Sequence, residues 1–143
     1  MRQEELFVAN FRAFEPEEGK DYRHFTSDAP YIDDIVLTRS PDGRAVVRGV
    51  PHAYVVHSPT GFEWGYCGSG PADLALNILC LVVEPPEAWR LHQRFKEDMI
   101  ATMPRDGGII RAVDVRDWVL QQWSNAGKAE WVPEGLRKPT AKE

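Results

Sequence analysis

Cysteine is scarce in this chain, clusters of basic residues are missing, and no apolar run is long. Two cysteines in 143 residues, Cys67 and Cys80, make no disulfide framework and read as free thiols of a reducing compartment. The longest greasy stretch, Leu74 to Val83, is interrupted by Asn77 and falls short of the roughly 20 residues that a membrane helix needs. The opening Met-Arg-Gln-Glu-Glu-Leu-Phe carries acids where a secretory leader has a basic start, so the expected location is the cytoplasm, with no membrane partner. Lysine and arginine number 17 against 22 acids, for a formal net charge of -5. A direct grip on DNA or RNA, which needs many cations on one face, is therefore disfavoured. No internal repeat of useful length is present beyond two Ser-Pro turns, and no segment is of low complexity.

What is present suits a folded domain: 43% hydrophobic residues and five tryptophans. The length fits one domain, expected over residues 1–131. Residues 132–143, with two prolines, alternating charges and no hydrophobic period, read as a flexible C-terminal tail. Charge is uneven. Residues 1–34 hold nine acids against four bases, whereas residues 35–57 hold three arginines against Asp42 alone.

Leu6 to Phe14 alternates loosely as a strand does, and residues 15–30 read as a charged excursion. Ile35 to Arg39 and Arg44 to Gly49 flank Ser40-Pro41-Asp42-Gly43, where proline presets φ and Asp-Gly tolerates positive φ; this predicts a hairpin. The same grammar recurs as Ala53 to His57, Ser58-Pro59-Thr60-Gly61 and Phe62 to Tyr66, predicting a second hairpin in tandem. A glycine-rich elbow, Gly65 to Gly70, then opens a helix from about Pro71 to Val83, with Asp73 expected to complement the helix dipole. Glu84-Pro85-Pro86-Glu87 starts another helix, with Ala88, Leu91, His92, Phe95 and Met99 as its buried stripe. Ile109 to Val113 predicts a short strand, and Asp114 with Asp117 a helix start ahead of Val115, Trp118, Val119 and Trp123. The sum is an α+β fold: an antiparallel meander of three to five strands packed against two or three helices.

Candidate chemistry is thin. The elbow lacks the Lys-Ser/Thr end of a nucleotide-binding loop and the spacing of a dinucleotide loop, so it reads as structural. His52, His57 and Cys67 are zinc-compatible types, but completion by Cys80 or His92 matches no common zinc pattern, so no metal or cofactor is expected. Cys67 with His57 as base would make a small cysteine/histidine enzyme, although no third orienting group stands out. The acids Asp33, Asp34, Glu63 and Asp73 offer no convincing carboxylate pair. Tryptophan is the more informative excess. Trp64 and Trp118 fall on predicted buried stripes, while Trp89, Trp123 and Trp131 fall near helix ends or the tail, where aromatics anchor interfaces. The expected partner surface uses Trp123 and Trp131 as apolar anchors and Glu15, Glu17 and Glu18 as a steering rim, in a protein that is not an enzyme.

Two resemblances sharpen this. Gly61-Phe62-Glu63-Trp64-Gly65-Tyr66 and Gly68-Ser69-Gly70-Pro71-Ala72-Asp73-Leu74-Ala75, preceded by the Ser58 to Gly61 turn, resemble the signature of a small domain of unknown function of bacteriophages and bacteria, over residues 35–83. The complete chain, with its acidic start and its arginine, proline and tryptophan content, resembles early proteins of thermophile-infecting phages that bind host RNA polymerase. That resemblance implies a transcription regulator acting in the host cytoplasm. It would engage the polymerase β-subunit flap together with sigma factor domain 4, inhibit initiation at -10/-35 promoters and act in antitermination. An acidic DNA mimic is the remaining alternative, and a charge of -5 is sparse for one.

Overall fold

A computed structural model describes the backbone of residues 11–131 and the side chains of residues 11–125. The described residues divide into two compact units on either side of the Ala112–Val113 bond. The first is α+β. Its strands are β1 (Ile35–Arg39), β2 (Ala45–Arg48) and β3 (Gly108–Ile110), and its helices are α1 (Ser69–Leu79) and α2 (Pro85–Phe95), the latter running into a π-helical turn, Lys96–Ile100. The second unit consists of α3, which begins at the boundary (Ala112–Trp131).

The first hairpin forms as its turn chemistry dictates. Gly43 adopts φ 90°, its N–H donates to the Ser40 carbonyl at 2.8 Å, and the Ser40 N–H donates to the Arg44 carbonyl at 2.9 Å. β1 and β2 pair antiparallel with Leu37 opposite Val47, and β3 joins the free side of β1 with Ile35 opposite Ile110, giving the order β2-β1-β3. Alternation then divides the sheet: Ile35, Leu37 and Ile110 are buried on the inner face, while Thr38, Val46, Arg48 and Ile109 are exposed on the outer one.

The core is built around α1, whose residues Gly70 to Leu79 are all buried. α2 packs against it through Ala88, Leu91, His92 and Phe95, as the sequence period predicts. The period then slips. The π-helical turn adds one residue to the repeat, with the Ala101 N–H donating five residues back to the Lys96 carbonyl at 2.8 Å, so Ile100 is buried and Met99 is only half-buried.

Three other expectations are corrected. The second hairpin does not form: residues 51–68 contain no strand, although the Ser58 to Gly61 turn itself is present, with the Gly61 N–H donating to the Ser58 carbonyl at 3.4 Å. Of the strand expected at Leu6 to Phe14, residues 6–10 lie outside the described residues, and Phe11 to Phe14 form a helical turn. The last helix starts at Ala112, two residues before Asp114, because the Asp34 carboxylate accepts the Ala112 N–H at 2.8 Å and caps it from a distant point of the sequence. Within α3, Val115 and Val119 are buried one turn apart, and Trp118 and Trp123 are half-buried. The tail at 132–143 lies outside the described residues.

Candidate functional site

Polar chemistry concentrates where α1 meets the irregular segment 52–58. Asp73 and Asn77 are one helical turn apart and therefore share a face of α1, in an otherwise apolar stretch. Both are buried. The Asp73 carboxylate accepts the N–H of His57 at 2.8 Å on Oδ1, and those of Ser58 at 3.1 Å and Val56 at 3.3 Å on Oδ2. The His52 Nε2–H adds a fourth bond, to Oδ2 at 3.0 Å. Asn77 clamps the backbone of Tyr54 from both sides, accepting its N–H at 2.9 Å and donating to its carbonyl at 2.9 Å. The backbone donors that a hairpin would have paired with another strand are thus satisfied by two helix side chains. That is why segment 53–57 needs no partner strand. The dipole role expected for Asp73 is accordingly corrected: it starts the second turn of α1 and serves as an acceptor for the loop.

The next layer is aromatic and imidazole. His57 Nε2 and His92 Nε2 lie 2.9 Å apart, and His92 Nδ1 donates to the Trp89 carbonyl at 2.7 Å. The His57 ring stacks on Trp89 at 5.7 Å between centroids and 11° between planes, and Trp89 in turn stacks on Phe14 at 5.0 Å. Burial depresses both imidazoles. His57 is lowered, against an opposing pull from the Asp73 charge, and His92 falls to about 4. Trp89, grouped with the interface aromatics on sequence grounds, is half-buried and stacks between His57 and Phe14.

Arg39 holds the far side of the segment. Its guanidinium lies 4.2 Å over the Trp64 ring, donates from Nε to the Arg105 carbonyl at 2.9 Å and pairs with Glu63 at 2.9 Å. Trp64, buried as its stripe predicts, donates its indole N–H to the same Arg105 carbonyl at 3.0 Å. A cavity of about 400 Å³ opens between the Ser58 to Gly61 turn, Glu63, Tyr66 and the start of α1.

The candidates named from sequence scatter. Among the described residues no three His, Cys, Asp or Glu side chains gather as a metal-holding group. Cys67 is exposed and shares no hydrogen bond with His57, whose Nε2 is engaged with His92. Burial pushes the Cys80 thiol up to about 12. Glu63 is paired with Arg39, Asp34 caps α3, and Asp73 binds the loop, so these three acids serve separate structural sites, while Asp33 is exposed. Glu15, Glu17 and Glu18 are exposed on a turn fixed by the Glu17 N–H, which donates to the Tyr22 hydroxyl at 3.1 Å. Trp123 is half-buried, and the side chain of Trp131, the last residue of α3, lies outside the described ones. Sequence reasoning did not single out the Asp73–Asn77 pair or His92 as a network. The available signal was two polar residues at i and i+4 inside an apolar helix.

Residues 34–121 match a model for a family of unknown function, DUF6166. The chain belongs to DUF6166. The match covers more than half of the chain and extends the expected span of 35–83 through α2, β3 and into α3. No curated protein and no solved structure matches the chain. The DUF6166 segment contains the Asp73 node, the His57–His92 pair and the Asp34 cap. Glu15, Glu17, Glu18, Trp123 and Trp131 all lie outside it. No helix among the described residues is long and apolar enough to cross a membrane.

Proposed function

We propose that this DUF6166 member is a non-enzymatic regulator that works by binding another protein, and that the partner is host RNA polymerase, at the β-subunit flap together with sigma factor domain 4. The observation that carries the binding mode is the Asp73 node, which spends the most deeply buried carboxylate among the described residues on backbone and His52 donors. With His57 and His92 committed to each other and Cys80 buried, these groups act as scaffold, and the exposed Cys67 shares no hydrogen bond with His57. The choice of partner rests on the resemblance of the complete chain to polymerase-binding phage early proteins.

In this reading the DUF6166 segment is the frame, and the residues flanking it contribute the aromatic anchors and the steering charge. Trp123 and Trp131 supply apolar contact, and the exposed Glu15, Glu17 and Glu18 steer association toward a basic partner surface. Binding at the flap with sigma domain 4 impairs recognition of the promoter -35 element, favours promoters that lack one and reduces termination. The size of the effect is bounded by the difference in affinity for the two arrangements of the polymerase.

The test is retention of purified thermophilic RNA polymerase holoenzyme on the tagged protein, with isolated flap and isolated sigma domain 4 as separate baits. Retention through the flap, followed by loss of initiation at -35-dependent promoters, is the expected outcome. Failure to retain polymerase from the matching host removes the proposal. Alanine at both Trp123 and Trp131 with unchanged binding removes the assignment of anchors.

A further inference from the structure

The outer face of the sheet carries an ordered pattern of apolar and basic side chains. Val36 at its centre has Arg48 of β2 opposite on one side and Ile109 of β3 on the other, and Thr38 has Val46 opposite. Val46 is 40% exposed and Ile109 60%. β2 is also an edge strand, with β1 on one side and no strand on the other among the described residues. An edge of this kind presents unpaired N–H and C=O groups in register for an extended segment from another chain.

Charge selects what that segment can be. Arg44 and Arg48 stand exposed at the two ends of β2. Arg44 pairs with Asp42 at 3.1 Å across the turn, and Arg48 meets no carboxylate among the described residues. Two β2 edges paired antiparallel around a two-fold axis would gather four guanidinium groups along one seam, so a second copy of this chain is a poor occupant. An acidic segment is the complementary one. This is the basic stretch of an otherwise acidic protein, with three arginines against one aspartate in residues 35–57 of a chain of net charge -5.

We infer that the β2 edge receives an extended segment of a partner protein that adds as a fourth strand, with an apolar side chain beside Val46 and carboxylates two residues to either side of it, facing Arg48 and Arg44. The inference rests on the polymerase-binding reading, and assigns to the holoenzyme an acidic, strand-forming segment that docks here. Main-chain pairing supplies the register, Val46 the apolar contact, and the two arginines the discrimination against basic or neutral strands.

The test compares binding of purified RNA polymerase holoenzyme to the wild-type protein and to Arg48→Glu, Val46→Glu and Arg48→Lys, at low and high salt. Both side chains, Val46 and Arg48, point away from the core, and thermal melts establish that each variant is folded. Arg48→Glu and Val46→Glu are each expected to weaken binding by about tenfold or more, Arg48→Lys by less than about threefold, and the Arg48→Glu loss is expected to shrink at high salt. Unchanged binding by folded Arg48→Glu and Val46→Glu overturns this inference and leaves the polymerase reading standing. No binding by the wild-type protein overturns both.

Discussion

The proton between His57 and His92 belongs to His57. The Nε2 atoms are 2.9 Å apart, and the Nδ1–H of His92 is committed to the Trp89 carbonyl at 2.7 Å, so neutral His92 can only accept at Nε2. Adding a proton to His92 sets two N–H groups head to head in a site that also excludes water. Geometry and desolvation therefore act in the same direction.

Acid should loosen the fold through this pair. Both folded-state values lie below the ordinary histidine value of 6.5, His92 at about 4, so the unfolded chain binds more protons between those limits. Stability is complete above about pH 6.5 and is lost as pH falls toward 4, with His92 accounting for on the order of 3 kcal/mol. Urea denaturation at pH 7, 6, 5 and 4.5 reads the slope directly. His92→Gln is expected to lower stability at pH 7 and to flatten the slope. An unaltered slope in that variant would show that other groups govern acid sensitivity.

Asp73→Asn should cost about 3 kcal/mol or more, because the variant keeps the volume but directs an amide donor at N–H groups that need an acceptor. Hydrogen exchange provides the specific readout. The amides of Val56, His57 and Ser58 lose protection relative to those of α2, whereas Asn77→Ala exposes the amide of Tyr54. Uniform loss across the molecule would contradict a local clamp.

Two glycines with positive φ should respond differently to alanine. Gly107 has φ 110°, and a Cβ there would lie 2.0 Å from the Leu37 carbonyl oxygen, in the approach of β3 to β1. Gly43 has φ 90° and open space around it. Denaturant midpoints are expected to place Gly107→Ala about 3 kcal/mol below wild type and Gly43→Ala about 1 kcal/mol below. Equal penalties would mean that backbone conformation alone, and not the strand contact, matters at Gly107.

The two thiols should separate cleanly under a neutral-pH disulfide reagent. Cys67 is exposed and reacts in the native protein. Cys80, raised to about 12 by burial, reacts only on unfolding. Titration of two thiols at the same native rate would refute the burial of Cys80.

Local grammar was legible where neighbours in sequence are neighbours in space. The Pro41-Asp42-Gly43 turn fixes the first hairpin, Pro85 and Pro86 start α2, and helical spacing marks Ala88, Leu91, His92 and Phe95 as its inner face. The same grammar misread Ala53 to Tyr66. Its turn is real, but the acceptors for the N–H groups of Tyr54 and of Val56 to Ser58 come from Asn77 and Asp73, at least 15 residues away. Strand and clamped loop look alike to a rule that reads only periodicity. The candidate site was less legible still. Each residue of the histidine pair is ordinary in its own context, and 35 residues separate the two.

The sequence by itself determined that the protein is an α+β domain with a hairpin, an apolar central helix and an amphipathic partner helix, because turn residues and hydrophobic period act within a few positions. It also determined which groups were available for chemistry. Only the tertiary structure decided what those groups do: it brought α1 beneath segment 52–58, set His57 against His92, carried Asp34 to the start of α3 and left Arg48 without a carboxylate partner among the described residues. Buried donors must find acceptors wherever the packed chain provides them, and that pairing is settled by proximity in space.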